Sequence, residues 1–183
     1  MKKLTLIVLS AGGALTIHAQ AWTITGNNNT NQAIHFLGTT NNQSLRFPVN
    51  NVYSGEIDSA TSKTFFGFGA GRGSTGFDNM ALGFKAMTAG VSGSRNTAVG
   101  SNALSVLSDG WYNTAVGNTA LGANTTGGEN TAVGRNALAT NKTGYLNAGF
   151  GNSALSQNQA NENTGLGAYS MTYNTTGVSN AAA

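Results

Sequence analysis

A parallel β-solenoid, and therefore an all-β fold, is what this 183-residue sequence predicts. A nine-residue motif recurs every 16 or 17 residues, two series of glycines keep the same spacing, and a bulky apolar residue recurs at one position of the motif. A fixed period of this length is typical of stacked coils, because one unit cannot bury its own core and neighbours must share one. We therefore predict about seven coils, preceded by a small β-rich region.

The motif is clearest in three copies, where it reads Asn-Thr-Ala-Val-Gly, then a variable residue, then Asn-Ala-Leu or Thr-Ala-Leu. Looser copies extend the series, whose seven starts are Lys63, Asn79, Asn96, Asn113, Asn130, Asn147 and Asn163. An eighth start falls at Asn180, and no polar cap follows it. Because solenoids need capped ends, we expect residues 63–183 to be a solenoid domain truncated at its C-terminal end.

Two glycine series support the coils. The first lies four residues after each start, at Gly67, Gly83, Gly100, Gly117, Gly134, Gly151 and Gly167. The second runs through Gly76, Gly93, Gly110, Gly127, Gly144 and Gly177, with Asn161 as its one exception. Glycine suits tight bends, positive φ and close backbone approach, and Asn is the next most tolerant of left-handed geometry. We therefore predict two corners in each coil, with a short strand between them.

A disordered Gly/Asn/Thr linker is the alternative, but it does not require a large apolar residue at a fixed position. Such residues do recur, at Met87, Leu104, Leu121, Leu138, Leu155 and Met171.

Alternation along the motif places Val99 on one face and Ala98 on the other, so that each coil offers one Val and one Leu of real bulk. Because so thin a core is marginal for a lone chain, we expect a homotrimer.

The N-terminus is typical of a secretory signal peptide, residues 1–19. Lys2 and Lys3 precede an apolar run over residues 4–17, and cleavage is expected after Ala19. The run is too short and too glycine-rich for a membrane helix, so we expect an exported, extracellular or cell-surface protein with no membrane span in this chain. Residues 20–62 lack the repeat and form the β-rich region, with short β-like runs over residues 33–37, 44–47 and 52–57 and a single proline, Pro48, at the end of the second.

Charge and cysteine content narrow the function classes. The nine basic residues include Lys2 and Lys3, so removal of the signal peptide leaves seven basic residues against six acidic ones. The remaining basic residues are scattered, which argues against a nucleic-acid partner. The chain has no cysteine, so no disulfide can stabilise the exported fold.

Catalysis finds little support in the sequence, and we predict that the protein is not an enzyme. His35 is the only histidine after residue 19, and no nucleophile-elbow motif accompanies it. Glu56 and Asp58 share a strand face and could imitate a glycosidase or metal pair, but a solvated edge pair is the favoured interpretation. No zinc or calcium spacing occurs, so neither a metal nor a cofactor is expected.

Aromatic residues supply the candidate contacts. Five phenylalanines, Phe65, Phe66, Phe68, Phe77 and Phe84, cluster where the repeat begins, and we expect them to form a hydrophobic cap over the first coil rather than a binding platform. Trp111 and Tyr112 fall at a predicted corner and are the candidate ligand contacts, because exposed Trp and Tyr stack on sugars and anchor protein interfaces.

The repeat resembles the head repeat of trimeric autotransporter adhesins, the YadA-like head. The resemblance rests on the Ala-Val-Gly segments that begin at Ala98, Ala115 and Ala132, with weaker echoes at Ala81 and Gly165. It implies a left-handed β-roll in each of three chains. The same long-period repeat also resembles bacterial secreted proteins related to phage tail fibres, whose opening segment is matched here by Trp22, Gly26-Asn27 and residues 36–40.

Three function classes follow. We expect a non-catalytic secreted or cell-surface fibre protein, structural or adhesive, that binds an extracellular glycan or protein through an exposed face of a trimeric β-roll. The alternative is a tail-fibre-like component that lacks a C-terminal chaperone domain. An ice-binding solenoid is a weaker third interpretation, because the threonines at Thr97, Thr114, Thr131 and Thr164 form a rank that Met80 and Ala148 interrupt.

Overall fold

The computed structural model describes Thr39 and residues 41–183. Within these residues the fold is all-β, without helix, and ten strands form one sheet in sequence order. The strands are β1 (Leu45–Val49), β2 (Val52–Asp58), β3 (Lys63–Phe66), β4 (Met80–Leu82), β5 (Thr97–Val99), β6 (Thr114–Val116), β7 (Thr131–Val133), β8 (Ala148–Phe150), β9 (Thr164–Leu166) and β10 (Ala181–Ala182). The predicted parallel β-solenoid is thereby confirmed. The predicted signal peptide, the run over residues 33–37, Trp22 and His35 lie outside the described residues.

An antiparallel hairpin precedes the solenoid. β1 and β2 are joined by Asn50 and Asn51, whose φ angles of 49° and 57° are the left-handed values that a tight hairpin turn requires and that Asn tolerates. Pro48 lies in the edge strand β1, where the pairing register shifts, so its missing N–H is tolerated. β2 pairs antiparallel with β3, and strand pairing therefore continues from the hairpin into the first coil.

From β3 onward every strand pairs in parallel with its equivalent one coil later, so that Thr97 faces Thr114 and Thr114 faces Thr131. The backbone ladder also continues outside the strands. For example, the backbone N–H of Leu121 donates to the carbonyl of Ala137 at 3.0 Å, and the backbone N–H of Glu129 donates to the carbonyl of Trp111 at 2.8 Å. Almost the whole of each coil is thus held in register by its neighbours, which explains how so short a strand suffices.

The core is built from alanine and leucine rather than from valine and leucine. Ala98, Ala103 and Leu104 are fully buried, and so are nearly all of their equivalents in other coils. Val99 is half-buried and Val116 is 36% exposed. The expectation that Val contributes core bulk is therefore wrong, because the middle residue of each three-residue strand points inward and its two neighbours must point outward.

Buried asparagines form a ladder through the solenoid at the first position of the repeat. Asn79, Asn96, Asn113, Asn130, Asn147 and Asn163 are each at most 1% exposed. The Oδ1 atom of Asn96 accepts from the backbone N–H of Asn113 at 2.9 Å and from its Nδ2 at 3.1 Å. Nδ2 of Asn113 also donates to the carbonyl of Gly127 at 2.8 Å. In the part of the chain described, no buried side-chain polar atom lacks a partner.

The first glycine series lies where the backbones of successive coils approach closely. Gly117 has a φ of 138°, and a Cβ atom placed on it would lie 2.4 Å from the carbonyl oxygen of Gly134. Its counterparts from Gly67 to Gly151 meet the next coil in the same way. Both the backbone angle and the lack of space therefore require glycine at this position.

The second glycine series does not have the left-handed geometry that we expected. Gly93 keeps an ordinary φ, and glycine is required because a Cβ atom would lie 1.9 Å from the carbonyl oxygen of Gly110. In the coil that begins at Asn147, which is one residue shorter, Ala160 rather than Asn161 faces Gly144. The left-handed angles belong instead to residues with side chains, three in a typical coil, such as Asn102, Leu104 and Tyr112.

The predicted phenylalanine cap is mostly wrong. Phe65 alone among the five is buried, because it occupies the inward-facing middle position of β3. The other four, Phe66, Phe68, Phe77 and Phe84, are exposed. The end of the asparagine ladder is closed by Lys63, whose Nζ donates to the carbonyl of Ser74 at 3.0 Å and lies 3.8 Å from the carboxylate of Asp58.

Candidate interaction surfaces

An apolar stripe runs along the outer face of the parallel sheet. It consists of the residues at the third strand position, Phe66, Leu82, Val99, Val116, Val133, Phe150 and Leu166. Their side chains range from half-buried Val99 and Val133 to Leu166, which is 57% exposed. Strand register places each of these side chains directly over the next, so the stripe is continuous along the solenoid.

A threonine rank runs beside the apolar stripe on the same face. Thr97, Thr114 and Thr131 are half-buried and stacked in register over three consecutive coils. Met80 precedes the rank and Ala148 follows it, so the rank is shorter than the stripe. Together the two rows make an uncharged outward face, with threonines and valines in its middle and larger apolar residues such as Phe66 and Leu166 towards its ends.

A second surface is the corner that precedes each asparagine of the ladder. The exposed rings of Phe77, Trp111 and Tyr145 alternate there with the small residues Ser94 and Gly128. Backbone hydrogen bonds keep this column in register, because the carbonyls of these five residues accept from the N–H groups of Arg95, Tyr112, Glu129, Leu146 and Glu162, one coil later, at 2.8–3.2 Å. We call the five residues Phe77, Ser94, Trp111, Gly128 and Tyr145 the corner column.

The candidate contacts Trp111 and Tyr112 are both exposed on this corner but play different parts. The ring of Tyr112 is covered by Arg95, whose guanidinium carbon lies 5.2 Å from the ring centroid and whose Nη1 donates to the phenol oxygen at 2.6 Å. Arg95 also lies 3.6 Å from the carboxylate of Asp78. Tyr112 is thus engaged by protein groups, whereas Trp111 is 45% exposed and not part of that cluster.

A shallow depression of about 290 Å³ lies beside Phe77 and Trp111 and extends to the turn formed by residues 60–62. Its polar lining comes from Thr61, Ser62, Asp78, Ser94 and Arg95. It therefore combines aromatic walls with hydrogen-bonding groups, a mixture that suits a polar ligand with an apolar face.

The sequence suggested that Glu56 and Asp58 on β2 form a solvated edge pair, and this interpretation is wrong. Glu56 is buried and accepts hydrogen bonds from Tyr53 Oη at 2.6 Å and Arg46 Nε at 3.0 Å. Burial by itself raises the pKa of this carboxyl, but the hydrogen bonds from Tyr53, Ser44 and Arg46 together hold the pKa below its ordinary value.

Asp58 is likewise used structurally. Hydrogen bonds from the hydroxyl of Thr61 and the backbone N–H of Ala60 lower the pKa of its carboxyl. The carboxylate oxygens of both acids are thus engaged by hydrogen bonds from neighbouring residues, Tyr53 and Arg46 for Glu56, and Thr61 and Ala60 for Asp58.

The described residues contain no group of three or more His, Cys, Asp or Glu side chains that could bind a metal ion. Over the same residues, no helix is long and apolar enough to cross a membrane. Comparison with protein-family models, with curated proteins and with solved structures finds no match to this chain.

Proposed function

We propose that this protein is a non-catalytic structural or adhesive fibre protein, secreted or held at the cell surface, that works as a homotrimer of β-solenoids. The observation that carries the proposal is the apolar stripe. A row of seven outward apolar side chains in register is unusual on a soluble monomer and is typical of a surface that another chain covers.

The energy of the stripe agrees with an assembly of several chains. Full burial of one such side chain stabilises by roughly 1.5–3 kcal/mol, and because these side chains are already half covered, assembly adds about 1 kcal/mol for each. The seven residues therefore contribute about 7 kcal/mol per chain, against an association cost of about 4–15 kcal/mol. The gain and the cost are of the same order, so the assembly is expected to depend on protein concentration.

Resemblance favours three chains over two. The stripe lies on one face of each solenoid, so chains that close around a single axis bury the stripe in either case and leave the corners outside. The likeness of the repeat to adhesin heads favours a three-fold axis. The corner column then remains available to an extracellular glycan or protein, as an adhesive function requires.

Light scattering after gel filtration tests this proposal. The variant Val116→Glu places a charge in the middle of the stripe and should shift the mass from trimer to monomer. Thr143→Glu is the matched control, because Thr143 is exposed away from the sheet. A wild-type protein that elutes as a monomer at tens of micromolar would exclude the trimer, and a Val116→Glu variant that assembles normally would exclude the apolar stripe as its interface.

Ice binding remains a second candidate because of one feature, the in-register threonine rank over three coils. The apolar stripe weighs against it, since an ice-binding face must stay free of other chains. A measurement of thermal hysteresis on the purified protein decides the matter, and we expect none.

A further inference from the structure

We propose that the corner column binds a linear, neutral, β-1,4-linked polysaccharide, whose sugar rings stack on Phe77, Trp111 and Tyr145 in turn. The inference rests on the adhesive function proposed above and names the chemistry of its ligand.

The spacing of the aromatic residues carries the inference. Neighbouring coils are hydrogen-bonded at every step of the column, so their rise is about 4.8 Å, the spacing of paired strands. An aromatic residue therefore recurs about every 9.6 Å, with a small residue between. In a β-1,4-linked chain of equatorial sugars, alternate rings face the same way, and the repeating unit is a disaccharide of similar length. A straight column with a two-coil period thus matches a straight glycan with a two-ring period.

The small residues leave room for the intervening rings. Ser94 is buried, and Gly128 has no side chain, so each forms a slot between two exposed aromatic residues. Gly128 is packed on the backbone below it, since a Cβ atom there would lie 3.1 Å from the carbonyl oxygen of Trp111. The depression of about 290 Å³ includes the first of these slots, at Ser94 between Phe77 and Trp111, and continues past Phe77 to the turn over residues 60–62.

Polar groups beside the column favour a neutral ligand. Asp78 and Arg95 lie 3.6 Å apart and largely neutralise each other, and the next charged residue along the corner is Glu129. No surplus of positive charge is available for an acidic glycan or for phosphate. The carboxylate and guanidinium instead offer a hydrogen-bond acceptor and donor for sugar hydroxyls, while the aromatic rings cover the apolar faces of the sugars.

Fluorescence titration with cellohexaose and chitohexaose tests the inference. The chain has two tryptophans, so Trp22→Phe leaves Trp111 as the only one and makes its emission specific for the site. We expect at least one of the two glycans to change the emission saturably, and the corresponding disaccharide to bind about tenfold more weakly because it spans only one slot.

Substitutions then locate the binding. In isothermal titration calorimetry, Trp111→Ala should lower the affinity for the hexasaccharide about tenfold, and Phe77→Ala and Tyr145→Ala should each lower it about threefold. Trp111→Phe should recover most of the affinity, which separates stacking from misfolding. Tyr173→Ala is the control, because Tyr173 is the most exposed aromatic residue described and lies off the column.

The inference is overturned if neither hexasaccharide binds at millimolar concentration, or if Trp111→Ala leaves the affinity unchanged. It is also overturned if Trp111→Ala alters the mass of the assembly rather than glycan binding, because the column is then a contact between copies of the chain. A trimer that binds neither glycan would leave the proposed fibre function intact.

Discussion

Replacing Gly117 by Ala should destabilise the solenoid more than the same change at Gly167. The two glycines occupy equivalent positions of the repeat, and both have positive φ angles, of 138° and 115°. They differ in space. A Cβ atom on Gly117 would lie 2.4 Å from the carbonyl oxygen of Gly134, whereas nothing lies within 4 Å of a Cβ atom on Gly167.

The magnitude follows from two separate effects. Holding a residue with a side chain in such a backbone conformation costs about 1–3 kcal/mol, and both variants bear that cost. Gly117→Ala adds steric overlap with backbone atoms that cannot rotate away, worth about 1–3 kcal/mol more. For a chain of this size, the additional loss lowers the melting temperature by about 2–4 °C for each kcal/mol. Gly117→Val should be worse than Gly117→Ala, because its branched side chain meets the same neighbour.

Thermal melts followed by circular dichroism, with urea unfolding for the free energies, provide the assay. We expect Gly117→Ala to melt at least about 3 °C below Gly167→Ala. Equal melting temperatures for the two variants would refute the assignment of this glycine series to close contact between coils. A Gly117→Val variant that melts within a degree of the wild type would refute the solenoid register itself.

Three further predictions concern the ladder, the hairpin and the N-terminus. Asn113→Asp removes two donated hydrogen bonds inside the core and should lower the free energy of unfolding by at least about 2 kcal/mol in urea titrations. The control Asn118→Asp, at an exposed position, should change the free energy of unfolding by less than about 0.5 kcal/mol. Equal effects of the two substitutions would contradict a buried ladder. The pKa values of Glu56 and Asp58 are lowered in the folded state, so the stability that these carboxylates contribute is complete above their unfolded pKa values near 4 and is lost as the pH falls through the folded values. Thermal melts between pH 6 and pH 2 should therefore show a loss of stability that is smaller in the Glu56→Gln variant. A Glu56→Gln variant that shows the full loss would indicate that other groups cause it. N-terminal sequencing of exported protein should begin at or near Gln20, and an intact Met1 would disprove the signal peptide.

Much of the fold follows from the sequence because the repeat is regular. Equal spacing of the motif implies that equivalent residues stack, and the glycines of the first series mark the place where the coils touch. This information lies in the order of residues alone, and it predicted that Thr97, Thr114 and Thr131 stack in register.

The direction of the side chains was harder to predict. Alternation separates Val99 from Ala98 but does not say which of the two faces the core, and the larger residue was the natural choice. The structure has Ala inside because the coil is narrow and Leu104 already fills it. The valines are therefore left for the outer face, where they suggest a partner.

The asparagine ladder was missed because a lone Asn is usually exposed. Only its constancy at the first repeat position, at Asn96, Asn113 and Asn130 among others, indicates a buried role. The shorter coil was misaligned for a different reason, since the sequence shows that a residue is missing but not where. The corner column was also missed, because Phe77, Trp111 and Tyr145 appear scattered until the coils are stacked.

Burial of the apolar stripe in an assembly is tested most directly by cysteine labelling at Val116. The native chain contains no cysteine, so a single introduced thiol is unique, and Val116→Cys and Thr143→Cys can be compared by their rates of reaction with a maleimide. In the single chain, position 116 is 36% exposed and should react readily. We predict that at micromolar concentration Val116→Cys reacts at least about tenfold more slowly than Thr143→Cys, and that dilution removes the difference. Equal rates at all concentrations would contradict the proposal that other chains cover this face.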